Sequence, residues 1–234
     1  MVPGKPEMLA IVLILALLSG CSTLVNFAPQ ASERSIQDQL ELKLGMAQMA
    51  ERNGALADAR QAYEEIVASN PANVLALHRL GVVAVKQGDL ERAIDYLQRA
   101  VALGTPSAEL MSDLGYAHLL RGELNDAAAM LSHAAELDPD NGRIVNNLAL
   151  VAGYQGRLDE CLALFRRVNS EAESLANLGF VLSQLGDLEG AKRHFLRALD
   201  LDPSLKAAAN GLYYVEQGTR GDPNRSGGRL ELRR

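Results

Sequence analysis

Cys21, Cys161 and four histidines (His78, His118, His133, His194) are the side chains in this sequence best suited to covalent or metal chemistry. Their arrangement offers little of either. The cysteines lie far apart, and no cysteine or histidine falls at metal-ligand spacing. There is no GxxxxGK(S/T) to cradle phosphate, no HExxH, no GxSxG and no CxxC. His118 falls on the apolar side of its segment, where a structural role is expected. The carboxylates fall mainly at outward positions of helical patterns, as a solvated face does. The formal net charge of −6 gives no electrostatic reason to expect nucleic-acid binding. The residues therefore point to a protein that is not an enzyme, with no metal, no cofactor and no small-molecule substrate.

Cys21 acquires a role from what precedes it. Lys5 supplies an early positive charge, and residues 8–18 read MLAIVLILALL without a polar side chain. Eleven residues of helix rise about 16 Å, about half of the ~30 Å bilayer core. This is the length of a signal-peptide core rather than of a membrane span. Leu18-Ser19-Gly20-Cys21 follows, and it resembles the lipobox of bacterial lipoproteins. That resemblance implies cleavage before Cys21, a diacylglycerol on its sulfur and an acylated new amino terminus. The competing reading is an ordinary secretory signal with an incidental cysteine; the register shared by apolar core and lipobox favours the lipoprotein. Several acyl chains make such an anchor effectively permanent. Ser22 rather than Asp after the cysteine implies the outer membrane, by a sorting rule that varies among bacteria. Residues 21–34 lack a clear period and contain Pro29, so they are expected to form a lipidated tether.

The remaining chain repeats. In frames starting at 40, 74, 108, 142 and 172, the fifteenth place is Gly54, Gly88, Gly122, Gly156 and Gly186. The twentieth is Ala59, Ala93, Ala127, Cys161 and Ala191, and the twenty-fourth is Tyr63, Leu97, Leu131, Phe165 and Phe195. Residues 46–47, 80–81, 114–115, 148–149 and 178–179 pair a large apolar residue with Ala or Gly at places seven and eight. Within each half the apolar residues follow i, i+3, i+4, i+7, the spacing of an amphipathic helix. Small residues at places eight and twenty let two antiparallel helices approach closely. The glycine ends the first helix because it tolerates positive φ. Pro71, Pro106, Pro139 and Pro203 follow the second helices. Cys161, standing where alanine is usual, reads as a buried free thiol acting as a small hydrophobe.

These columns resemble the tetratricopeptide repeat (TPR) family. The resemblance implies an all-α fold: a right-handed α-solenoid of antiparallel helix pairs with a C-terminal capping helix. The expected organisation is a signal peptide (1–20), the tether (21–34), five repeats over 35–205 (40–73, 74–107, 108–141, 142–171, 172–205), a capping helix (206–218) and a disordered tail (219–234). The fourth frame is short, and its second helix is expected to lose about one turn. Ile66 stands where alanine is usual and is expected to loosen the first repeat's packing. The tail carries Arg220, Arg225, Arg229, Arg233 and Arg234, as a solvated tail or one touching anionic headgroups.

In this family the concave wall is lined by the first helix of each repeat. Carried onto this sequence, those places give His78, Arg79, Val82, Ser112, Asp113, Tyr116, Arg143, Asn146, Asn147, Leu150, Asn177 and Phe180, with Val85 and Leu119 beside them. Three asparagines can each donate and accept toward a peptide backbone. Val82, Tyr116, Leu150 and Phe180 offer apolar anchors, although such residues also serve simply to pack repeats together. The lysines of the family's peptide-carboxylate clamp are missing, so that clamp is not expected.

Lipid-anchored repeat proteins of this size resemble several groups. Residues 147–151 (NLALV) followed by Gly156-Arg157 look like a segment of tight-adherence (Flp) pilus assembly lipoproteins. Pilotins of secretins and adaptors that recruit peptidoglycan hydrolases are similar in plan. The expected function is an envelope scaffold that binds protein segments, faces the periplasm, and assists a pilus or secretion machine; an adaptor recruiting peptidoglycan hydrolases is the alternative and an unrecognised envelope enzyme the remote one.

Overall fold

A computed structural model describes residues 27–220, with side chains over 37–217. The described residues form eleven α-helices and no strand. In chain order they are α1 (Phe27–Arg52), α2 (Leu56–Ser69), α3 (Val74–Gln87), α4 (Leu90–Leu103), α5 (Ala108–Arg121), α6 (Leu124–Leu137), α7 (Gly142–Tyr154), α8 (Leu158–Val168), α9 (Glu171–Leu185), α10 (Leu188–Leu201) and α11 (Lys206–Arg220). None is long and apolar enough to cross a membrane. Residues 1–26, with the signal peptide, lipobox and residues 21–26 of the tether, lie outside the described residues, as do 221–234 of the tail.

The helix ends follow from individual residues. All five glycines at the fifteenth place have positive φ, between 77° and 87°. At Gly88, φ 78° lets Gly88 N–H bond Val85 C=O and Asp89 N–H bond Ala84 C=O, both at 3.0 Å. These two bonds satisfy carbonyls that the end of α3 leaves open. Starts are fixed by short polar side chains: Asn73, Asp89, Ser107, Asn141, Ser170 and Asp187 each accept from a backbone N–H in the next helix's first turn. Ser170 and Glu173 form a reciprocal capping box.

The chain divides into two compact units, one ending at Ser69 and the other beginning at Asn70. In the first, α1 packs antiparallel on α2, with Ala47, Ala59, Tyr63 and Ile66 fully buried. Ile66, expected to loosen the packing, is itself completely enclosed. Tyr63 Oη donates to the buried Glu51 carboxylate at 3.3 Å. α1 starts at Phe27, so part of the stretch expected to be an aperiodic tether is helical. Pro29 does not oppose this, because the first turn has no intrahelical partner for its missing N–H.

In the second unit four helix pairs (α3/α4, α5/α6, α7/α8, α9/α10) stack in order, each second helix packing on the next first helix. Close approach within a pair depends on the small residue at place eight. A Cβ on Gly115 would lie 2.6 Å from Leu131 Cγ, and one on Gly179 would lie 2.9 Å from Phe195. Gly81 is filled in the same way by Leu97. Cys161 is buried and free, and its thiol is pushed up to about 12 by burial. The short fourth repeat has an α8 of 11 residues against 14 in α4, α6 and α10. Asn169 closes it, donating to Phe165 C=O at 2.9 Å and to Asn146 Oδ1 at 2.7 Å.

α11 packs on α10 as the lone first helix of a sixth repeat. Ala208 and Val215 are buried, Gly211 abuts Phe195, and Lys192 pairs with Glu216 at 3.3 Å. Tyr213 takes the place where glycine or alanine admits a second helix, and it is 61% exposed.

Candidate functional site

The twelve residues expected on the inner wall lie on the first helices α3, α5, α7 and α9, and the structure sorts them. Three join across consecutive repeats. His78 Nε2 on α3 and Asp113 Oδ2 on α5 are 2.7 Å apart, and Arg143 Nη1 on α7 donates to Asp113 Oδ1 at 2.6 Å. Asp113 is thus held by a neighbour on each side. Burial pushes its pKa up, but the hydrogen bonds and charges from His78 and Arg143 outweigh burial and hold it below the usual carboxylate range. Glu109, one turn before Asp113, also approaches this pair and was not among the expected residues.

The side chain of Arg143 remains half exposed, and Phe180 is 48% exposed. Arg79, Val82, Tyr116, Asn146, Leu150 and Asn177 are half-buried. Tyr116 and Leu150 pack against the main apolar cluster, so part of each serves as core. Asn146 already accepts from Asn169. Three expectations need correction. Ser112 is fully buried, its Oγ without a hydrogen-bond partner, and Leu119 is 1% exposed. Both face the repeat interior: Ser112 is one position, and so 100° of rotation, from Asp113, and Leu119 belongs to the main apolar cluster. Asn147 is nearly enclosed as well, at 8% exposure.

A second cluster was not foreseen. His118 is buried, as expected, and its Nδ1 lies 2.7 Å from Glu123 Oε2; Arg121 also pairs with Glu123. Burial raises the Glu123 carboxyl, and Arg121 and His118 more than offset this, holding it below its usual value. With Asp126, Glu91 and Asp95, this group borders an open cleft of about 600 Å³ between α4, α5 and α6. His78-Glu109-Asp113 and His118-Glu123-Asp126 each gather three potential metal-ligating atoms within 4.8 Å. In each, an arginine already neutralises the central carboxylate, which makes an internal ionic network the better description. The signal for the first network is absent from local sequence, because His78, Asp113 and Arg143 stand 30 or more residues apart, whereas His118 and Glu123 are only five apart.

Models of the tetratricopeptide repeat match residues 42–108, 84–152, 143–167 and 172–205. The chain belongs to the tetratricopeptide repeat family. Solved TPR structures superpose on it. The crystal structure of YrrB, described as a TPR protein with an unusual peptide-binding site, is 21% identical with TM-score 0.57, over 72% of this chain and 89% of that one. MamA from Desulfovibrio magneticus RS-1 is 19% identical with TM-score 0.61, over 72% and 97%. Another MamA structure is 25% identical with TM-score 0.55, over 66% and 92%. Among curated proteins, none matches the chain by sequence. A TPR array is a protein-interaction scaffold, and TPR proteins are generally not enzymes.

Proposed function

We propose that this TPR protein is a scaffold of the bacterial cell envelope, tethered by lipid on Cys21, that holds a segment of a partner protein along α3, α5, α7 and α9. The observation that carries the binding part is the His78-Asp113-Arg143 chain across three repeats. It fixes neighbouring first helices in register and leaves the rest of the Arg143 guanidinium open to an acceptor. Phe180, 48% exposed two repeats further on than Tyr116, offers the apolar anchor. A preorganised wall of this kind lowers the ordering cost of binding an extended chain. The peptide-binding site ascribed to YrrB, a protein of similar fold, supports the same use of this one.

The envelope role rests on residues 8–21, where the apolar core and Leu18-Ser19-Gly20-Cys21 share one register. Within the envelope, the proposed task is assembly of a pilus or secretion machine, supported by residues 147–151 and Gly156-Arg157. Recruitment of peptidoglycan hydrolases is the second reading. Two linked experiments test the proposal. Arg143→Ala with Phe180→Ala should abolish capture of envelope proteins by the full chain while helical circular dichroism stays intact; unchanged capture would reject the wall. Cys21→Ala should move the protein out of the membrane fraction; unchanged membrane recovery would reject the anchor. Partners identified by crosslinking in cells separate secretin and pilin machinery from endopeptidases.

A further inference from the structure

The two ends of the repeat pattern are finished differently. In α5, α7, α9 and α11, places three, seven and ten carry Leu110/Leu114/Ala117, Ile144/Leu148/Val151, Ser174/Leu178/Val181 and Ala208/Leu212/Val215. These are buried or half-buried, on helices that pack against the second helix of the preceding pair. The corresponding residues of α1 are Leu42, Met46 and Met49, and they are 66%, 63% and 58% exposed. The repeat register therefore says what such a face is shaped to meet: another helix.

The residues around this face specify which helix. Asp38, Gly45 and Arg52 are seven residues apart and so share one flank of α1, beside the exposed apolar line. A two-fold axis perpendicular to two antiparallel helices brings a flank against the same flank of the other copy. Centred between Gly45 and Met46, it sets Leu42 opposite Met49 and Asp38 beside Arg52, once at each end. Gly45 lies near the axis, where a Cβ would meet nothing within 4 Å in the monomer, so its bare backbone admits close approach. Asp38 and Arg52 are both exposed, and the flank is self-complementary in charge.

We infer that α1 pairs antiparallel with α1 of a second copy of this chain, through Leu42, Met46 and Met49, with Asp38 of each copy beside Arg52 of the other. One helix face buries less than the ~1,200 Å² typical of stable complexes, so the pairing is weak and is read by trapping. It is independent of the anchor and of the inner wall.

The test uses the full chain carrying Gly45→Cys, treated in cells with a short bismaleimide, with the unsubstituted chain (Cys21 and Cys161 present) as control. A species of twice the mass, dependent on Gly45→Cys, is expected. Adding Asp38→Arg should reduce its yield about twofold or more, since two exposed ion pairs are lost at once. Adding Arg52→Asp to that variant should restore the yield, which a merely structural effect would not do. Met46→Glu should abolish the species and leave helical circular dichroism intact, because Met46 is exposed in the monomer. Absence of the doubled species, or a yield indifferent to the charge reversals, would overturn the inference. So would crosslinks to other proteins only, or membrane-dependent protection of residue 45 without a crosslink, which would assign the face to a partner or to lipid.

Discussion

Asp113 shows how one carboxylate is made to serve three repeats. Its side chain is 11% exposed and engaged on both sides, by His78 at 2.7 Å and Arg143 at 2.6 Å. Replacing it with asparagine keeps the shape but removes the charge, leaving His78 and Arg143 with a weaker acceptor. Asp113→Asn should cost about 1–3 kcal/mol in denaturant unfolding at pH 7. The pH dependence has a definite sign. The folded pKa is lowered, so the stability Asp113 contributes is fully present above the ordinary carboxylate value of about 3.9 and is lost as pH falls through the lowered folded value. The gap between wild type and Asp113→Asn should therefore narrow as melts move from about pH 4 toward pH 2. A gap that stays constant or widens over that range would contradict the ion-pair account. Sequence singled out His78, Asp113 and Arg143 only as members of the inner wall. That they bond to one another is a matter of how three helices stack, which a linear pattern does not state.

At the scale of the helix pair, the small residue at place eight sets the approach distance. Leu97 occupies the space that a Cβ on Gly81 would need. Gly81→Ala should destabilise by about 1–3 kcal/mol through overpacking. Leu97→Ala alone should cost about 2–5 kcal/mol by leaving a cavity. The two are in contact and compensate in volume, so the double variant should be less destabilised than the sum of the singles; a double-mutant cycle in urea checks the coupling. Strict additivity would mean that the glycine is needed for some other reason. Here sequence was highly legible: glycines at the turns, a small residue facing a bulky one and prolines after the second helices each have one local physical job. The fourth repeat was legible too, since deleting about one turn can only shorten a helix or its loop. Asn169 as the residue that seals the gap was not, because its acceptors lie on α7 and α8.

For the whole molecule, the arrangement is directional. The last repeat is covered by α11, whose Gly211 abuts Phe195 and whose Ala208 and Val215 are buried. In a solenoid the terminal unit depends on its cap, because each repeat contacts only its neighbours. A chain ending at Leu205 should therefore exchange α10 amide hydrogens faster than the full chain, while α5 and α6 keep their protection. Uniform loss of protection across the second unit would mean that it unfolds as one body, against nearest-neighbour stability.

The amino-acid sequence alone determined the fold class, the turnover of the chain at five glycines, the register of the pairs and the burial of Cys161, because each follows from short-range patterns with a single stable solution. Only the tertiary structure decided which residues of the first helices stay open. Ser112 and Leu119 turned inward, Arg143 and Phe180 stayed exposed, and Asp113 was drawn into a network. The division after Ser69 and the uncovered face of α1 were likewise decided there. Exposure on a helix changes within 100° of rotation and depends on what neighbouring repeats cover, so it belongs to the stack and not to any one segment.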